Sequence, residues 1–140
     1  MEDSIKQQIA GRAVIVRGGK VLIIRESVAY DTGANKGRYD IPGGKIKPGE
    51  SLLLGLAREV KEECNLEIEV REPFFVGEWQ PIINGTQIQI FGIYFRCSAK
   101  NSEVILGSDH DDYQWINPAD CDNYDLIPPN KEVLRLLKEI

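Results

Sequence analysis

Residues 42–66 read PGGKIKPGESLLLGLAREVKEECNL, and the fold is decided by how this stretch is read. It begins as a turn. Pro42-Gly43-Gly44 and Pro48-Gly49 bracket a short loop in which consecutive glycines let backbone N–H and carbonyl groups approach a ligand closely. It continues as a helix, because Leu53, Leu56, Ala57, Val60 and Cys64 recur at i, i+3, i+4, i+7 and i+11, with Ser51 placed as N-cap. At about 100° per residue, Glu59, Glu62 and Glu63 project within roughly 100° of arc and about 120° from the apolar stripe. That places three carboxylates at the edge of the core, where they can line a cleft. Hard oxygen donors grouped in this way suit Mg²⁺ or Mn²⁺. Charged helix faces are ordinarily just solvated, and it is the tight loop delivering Glu50 to the helix start that favours a site.

Outward from the helix the chain reads as strands. Ile9–Val16 and Lys20–Arg25 are β-branched runs joined at Arg17-Gly18-Gly19, a hairpin signal. Residues 26–38 are polar, contain Gly33 and Gly37, and read as a loop before a short strand Tyr39-Asp40-Ile41. After the helix, Leu66–Val70, Phe74–Trp79 and Gln87–Cys97 are strand-like, with Asn84-Gly85 as a hairpin turn. A loop over Ser98–Asp111, a strand over Tyr113–Ile116, an Asn117-Pro118 turn and a helix from about Asn130 complete the order. Strands on both sides of a central helix imply an α/β (α+β) fold, a mixed β-sheet packed by helices.

Bulk properties limit the function classes. The chain has 140 residues, the length of one domain (1–140), and a net charge of −5, which removes the counterion-release drive for stable nucleic-acid binding. An anionic substrate therefore needs a cation to bring it in. Cys64, Cys97 and Cys121 are scattered and His110 is the sole histidine, too few ligands for a zinc set; three reduced thiols are expected. No signal-peptide stretch or membrane-length apolar run occurs, so the expectation is a cytoplasmic protein with no membrane partner. A homodimer is compatible with the chain, which carries no signal for or against it.

The run from Gly44 through Glu50, Arg58, Glu59, Val60, Glu62 and Glu63 to Leu66 closely resembles the Nudix box, written G-x5-E-x7-R-E-U-x-E-E-x-G-U with U aliphatic; eight of its nine defined positions agree. The departure is Asn65 in place of glycine, a mild change at a C′ position that favours αL geometry, and turnover in Asn65→Gly is expected to stay within about tenfold. The resemblance implies a Nudix-like α/β/α sandwich that hydrolyses a nucleoside diphosphate linked to another group, using Mg²⁺ (or Mn²⁺). It implies Glu59 and Glu63 as main metal carboxylates, Glu62 as a further ligand or water holder, Gly43 as a carbonyl ligand, and Arg58, Gly44 and Glu50 as supports. In the family the general base is either a box glutamate, for which Glu59 is the first choice, or a carboxylate on a later loop; Glu59, Arg58 and Glu62 form the expected catalytic set.

Beyond the box, the resemblance matches Asp109, six residues before Trp115, to an acidic residue that reaches the metals in many relatives; a solvated turn over Asp109, Asp111 and Asp112 is the competing reading. His110 lacks a nucleophile partner and reads as a loop residue. Arg25, Lys45 and Asn130 are the candidate substrate contacts. Pro128-Pro129-Asn130 is similar to the region of MutT-type members that cleave nucleoside triphosphates, one residue short in spacing, although Asn130 is also a natural N-cap. Pro81, fifteen residues after Leu66, is similar to a feature of members acting on ADP-ribose. Tyr39, Trp79 and Phe91 are candidates to stack on a base, although strand aromatics ordinarily belong to a core. A nucleotide-sugar pyrophosphatase and a nucleotide-binding module without turnover are the remaining alternatives.

Overall fold

The computed structural model describes residues 4–29 and 35–137; Gly33 and part of the expected 26–38 loop lie outside them. Strand β1 (Lys6–Arg17) turns at Gly18-Gly19 into β2 (Lys20–Glu26), with both glycines at positive φ, 56° and 75°, as a two-residue hairpin requires. There follow β3 (Tyr39–Asp40), β4 (Gly43–Lys45), helix α1 (Leu52–Cys64), β5 (Ile68–Trp79), β6 (Ile82–Ile83), β7 (Thr86–Ala99), β8 (His110–Ile116), a 3-10 turn (Pro118–Asn123) and helix α2 (Asn130–Leu137).

β1 is the spine. Along one edge it runs parallel to β7, from Lys6 opposite Ile88 to Ile15 opposite Cys97. Along the other it pairs antiparallel with two partners in turn: Ala10–Arg12 with β4, and Val16 and Arg17 with β2. β2 continues the sheet through β3 and β8, and β5 closes the far edge against β7. Alternate residues feed two cores. Ala13, Ile15, Leu22 and Ile24 meet Leu56, Val60 and Cys64 of α1, whereas Val14, Val21 and Ile23 meet Val133 and Leu134 of α2. The result is an open mixed sheet between helices, as expected.

Three local differences have physical causes. The expected strands at 66–70 and 74–79 are one strand, β5, interrupted by register shifts around Pro73, which has no N–H for the ladder. β8 begins at His110 rather than Tyr113, because a bulge between Arg25 and Glu26 carries the pairing with β2 past the acidic residues. In α1, Leu53 is half-exposed and Leu54 is 72% exposed; the buried face is Gly55, Leu56, Val60 and Cys64. Gly55 takes that place since a Cβ there would lie 2.8 Å from Glu50 Oε1. All three cysteines are unpaired and buried. Among the described residues no helix is long and apolar enough to cross a membrane.

Candidate active site

Ser51 caps α1 by accepting from the Leu54 amide, and the turn before it brings Glu50 onto Arg58. The pair is bidentate, Arg58 Nε to Glu50 Oε2 at 2.7 Å and Nη2 to Oε1 at 3.1 Å, and Glu50 also accepts from the Lys47 amide at 3.0 Å. These bonds, Arg58's first, hold the Glu50 carboxyl down at about 2, and the same pair raises Arg58. Arg58 Nη1 then donates to Glu59 Oε1 at 3.1 Å and to Glu62 at 3.2 and 3.3 Å. One guanidinium therefore aims two box carboxylates while a third braces it from behind.

Glu63 is held differently. Its Oε1 accepts from the Gly43 amide at 2.8 Å, and burial pushes its carboxyl up to about 8 despite that bond and the nearby Arg12. Burial also raises Glu59. The adjacent glycines of the loop do separate jobs. A Cβ on Gly43, at φ 142°, would meet the Gly11 carbonyl at 2.1 Å, so this glycine is needed by the backbone. A Cβ on Gly44 would lie 2.7 Å from the Glu59 carboxyl, so that glycine makes room for a functional side chain. Beneath them, Arg12 bonds to Asp40 at 3.3 Å and to the Ile41 carbonyl at 3.2 Å, and its Nε is buried without a partner. Burial would lower its pKa, but Asp40, then Tyr94, Glu63 and Glu59, outweigh that and raise it.

Glu59, Glu62 and Glu63 face Gly107, Ser108, Asp109 and His110 across a cleft of about 250 Å³. The Ile105 and Gly107 amides donate to the Cys64 and Glu63 carbonyls at 3.1 and 2.9 Å, docking this segment on the end of α1. The structure thus brings Asp109 to the cleft and separates it from Asp111, which pairs with Arg25, and Asp112, which accepts from the Tyr39 hydroxyl. His110 is corrected from a loop residue to the first residue of β8 and a wall of the cleft. Its Nε2 lies 4.0 Å from Glu63 Oε2, its Nδ1 is buried without a partner, and burial lowers its pKa. The alternation of β8, hidden by a polar sequence, was the missing signal.

The substrate candidates do not converge there. Arg25 is engaged by Asp111 at 2.7 Å and lies 6.0 Å from the centre of the Tyr39 ring. Lys45 is exposed and lines a neighbouring groove with Gln8, Ile9 and Leu52. Asn130 is only 1% exposed; it donates to Asp40 at 2.8 Å and accepts from the Tyr94 hydroxyl at 3.2 Å. It is the first residue of α2, so the expectation that it caps the helix is corrected: its side chain bonds to Asp40 and Tyr94 instead. Trp79 lies over the paired glycines Gly77 and Gly92 and borders a pocket of about 320 Å³ with Phe75 and Pro129.

Among the described residues, no three His, Cys, Asp or Glu side chains are drawn together as a ready-formed metal cage. The donor chemistry nevertheless fits a hard divalent cation: four carboxyl side chains line one cleft with only Ser108 and His110 as further polar side chains, and Glu63 is buried there short of compensating charge.

The family model described as NUDIX domain matches residues 7–137. Nucleoside triphosphatase NudI of Escherichia coli is 31% identical over 119 residues, covering 78% of this chain and 82% of that protein. The MutT protein of Methanosarcina mazei superposes with a TM-score of 0.75 at 26% identity, covering 96% of this chain and 94% of its own. An ADP-ribose pyrophosphatase from Streptococcus suis shares the fold, with a TM-score of 0.66 at 18% identity, covering 91% and 84% of the two chains.

Proposed function

The chain belongs to the Nudix family of hydrolases acting on phosphoric anhydride bonds, and from that premise we propose that it is a divalent-metal-dependent pyrophosphohydrolase of nucleoside triphosphates. The observation that carries this reading is the convergence of Glu59, Glu62, Glu63 and Asp109 on one cleft. Those four carboxylates, with the Gly43 carbonyl, would hold the metal. When bound, the ions neutralise phosphate oxygens and lower the pKa of an attacking water. The chain's own part is positioning and proton handling. Arg58 orients Glu59 and Glu62, Glu50 fixes Arg58, and the Gly43 amide fixes one oxygen of Glu63 so that the other faces the cleft. Glu59 accepts the water's proton. Lys45, exposed in the neighbouring groove, is the proposed phosphate contact for a substrate that extends beyond the cleft.

The relative NudI, named as a nucleoside triphosphatase, supports the substrate class over ADP-ribose, for which the support is a shared fold at lower identity. A panel of nucleoside triphosphates, ADP-ribose and nucleotide sugars, assayed for phosphate and pyrophosphate with Mg²⁺ or Mn²⁺, tests it. Glu63→Gln should lose at least about 100-fold in kcat with an unchanged near-UV circular dichroism spectrum. Binding of nucleotides without release of either product would replace the enzyme with a sensing module.

A further inference from the structure

Asn65 stands where the Nudix box has glycine, and the structure uses its side chain. The residue adopts αL geometry (φ 68°, ψ 6°) and closes α1 through its amide to the Lys61 carbonyl at 3.0 Å. A glycine would do that equally well. What a glycine lacks is Nδ2, which donates to the Glu103 carbonyl at 3.1 Å. From the other side, Asn101 Nδ2 donates to the Asn65 carbonyl at 3.1 Å while its Oδ1 accepts from the Glu67 amide at 2.8 Å. The two asparagines thus bind each other's segments reciprocally. Directly after this clasp, Ile105 and Gly107 donate to the last carbonyls of α1, and Gly107 sits so close that a Cβ would fall 2.8 Å from the Glu62 carbonyl. Two residues further on is Asp109.

We propose that Asn65 is a positioning residue: with Asn101 it locks residues 101–107 onto the end of the box helix and so fixes Asp109 and His110 opposite Glu59, Glu62 and Glu63. The cleft has two walls from distant parts of the chain, and this clasp sets the gap between them. This rests on the functional reading above for its catalytic consequence, while the clasp itself is testable without metal or substrate.

Two variants isolate the Nδ2 bond. Asn65→Gly keeps the αL turn and removes the side chain; Asn65→Asp keeps an oxygen for Lys61, which donates to Asn65 Oδ1 at 3.2 Å, and replaces the donor with a second, negatively charged oxygen. Lys61→Ala is the control that leaves the Glu103 bond intact. In the metal-free chain, hydrogen exchange at the Ile105 and Gly107 amides should quicken about tenfold in both Asn65 variants and not in the control. In the enzyme, kcat should fall about three- to tenfold and the half-saturating Mn²⁺ concentration should rise, with KM for nucleotide unchanged. Unchanged exchange in both variants overturns the clasp. Faster exchange with unaltered kcat and Mn²⁺ dependence reduces Asn65 to a structural tie and overturns its positioning role. If the wild-type chain turns over no nucleotide, the functional reading fails, and exchange together with direct Mn²⁺ titration still decides the clasp.

Discussion

On the helical wall of the cleft, side chains hold side chains: Glu50, Arg58, Glu59 and Glu62 bond among themselves within a dozen residues. On the facing wall, Gly107 to His110, the backbone docks on helix carbonyls about forty residues earlier. The first arrangement depends on residue identity and fails when one group is changed; the second depends on chain path and yields to loosening. The geometry of the cleft is therefore set by side-chain bonds on one side and by backbone tethering on the other.

Arg58→Ala attacks the first wall where it is most concentrated, and should lower kcat about 100-fold, measured with saturating Mg²⁺, since two carboxylates lose their aim together. The neighbouring glycines sharpen the contrast between identity and path. Gly44→Ala should fold with an unchanged melting temperature yet lose about 10- to 100-fold in activity, because the flexible Glu59 carboxylate gives way to the new methyl. Gly43→Ala meets rigid backbone instead and should cost about 3 kcal/mol or more in denaturant unfolding. On the second wall, Asp109→Asn should cost about tenfold in kcat, and a variant indistinguishable from wild type would remove that wall from catalysis.

Glu63 also makes stability depend on pH. Glu63 titrates at its ordinary 4.5 when unfolded and at about 8 when folded, so the folded chain retains its proton longer. Stability is then fully present below about pH 4.5 and is lost as pH rises through about 8. The metal-free protein should melt roughly ten degrees lower at about pH 8.5 than at about pH 5.5, and Glu63→Gln should flatten this difference in differential scanning calorimetry.

The first wall was legible in the sequence because it is local: a loop and a helix at fixed spacing carry its chemistry in consecutive letters. The hairpin at Gly18-Gly19, the Ser51 cap and the αL Asn65 were legible for the same reason. The second wall was only partly so. Asp109 could be matched from its distance to Trp115, but His110 looked like loop because the strand containing it shows its polar residues first and owes its start to pairing with β2. Asn130 misled in the opposite sense, since a polar residue before a helix ordinarily meets solvent, and only the neighbouring Asp40 and Tyr94 draw it inward. Leu53 was assigned to the buried stripe because Gly55 gives no sign of being the residue against which Glu50 packs.

The Gly18-Gly19 hairpin has a consequence for how this chain can change length. Because neighbouring residues of β1 and β2 enter opposite compartments, inserting or deleting a single residue there would invert the strand that follows, exchanging Leu22 and Ile24 with Val21 and Ile23 between two interiors of different shape. The Asn84-Gly85 turn bears no such burden, as it joins β7 to the two exposed residues of β6. Length variants of this protein should accordingly tolerate added residues at the tip near 84 and reject them at 18, which makes the former the place to graft a tag or reporter.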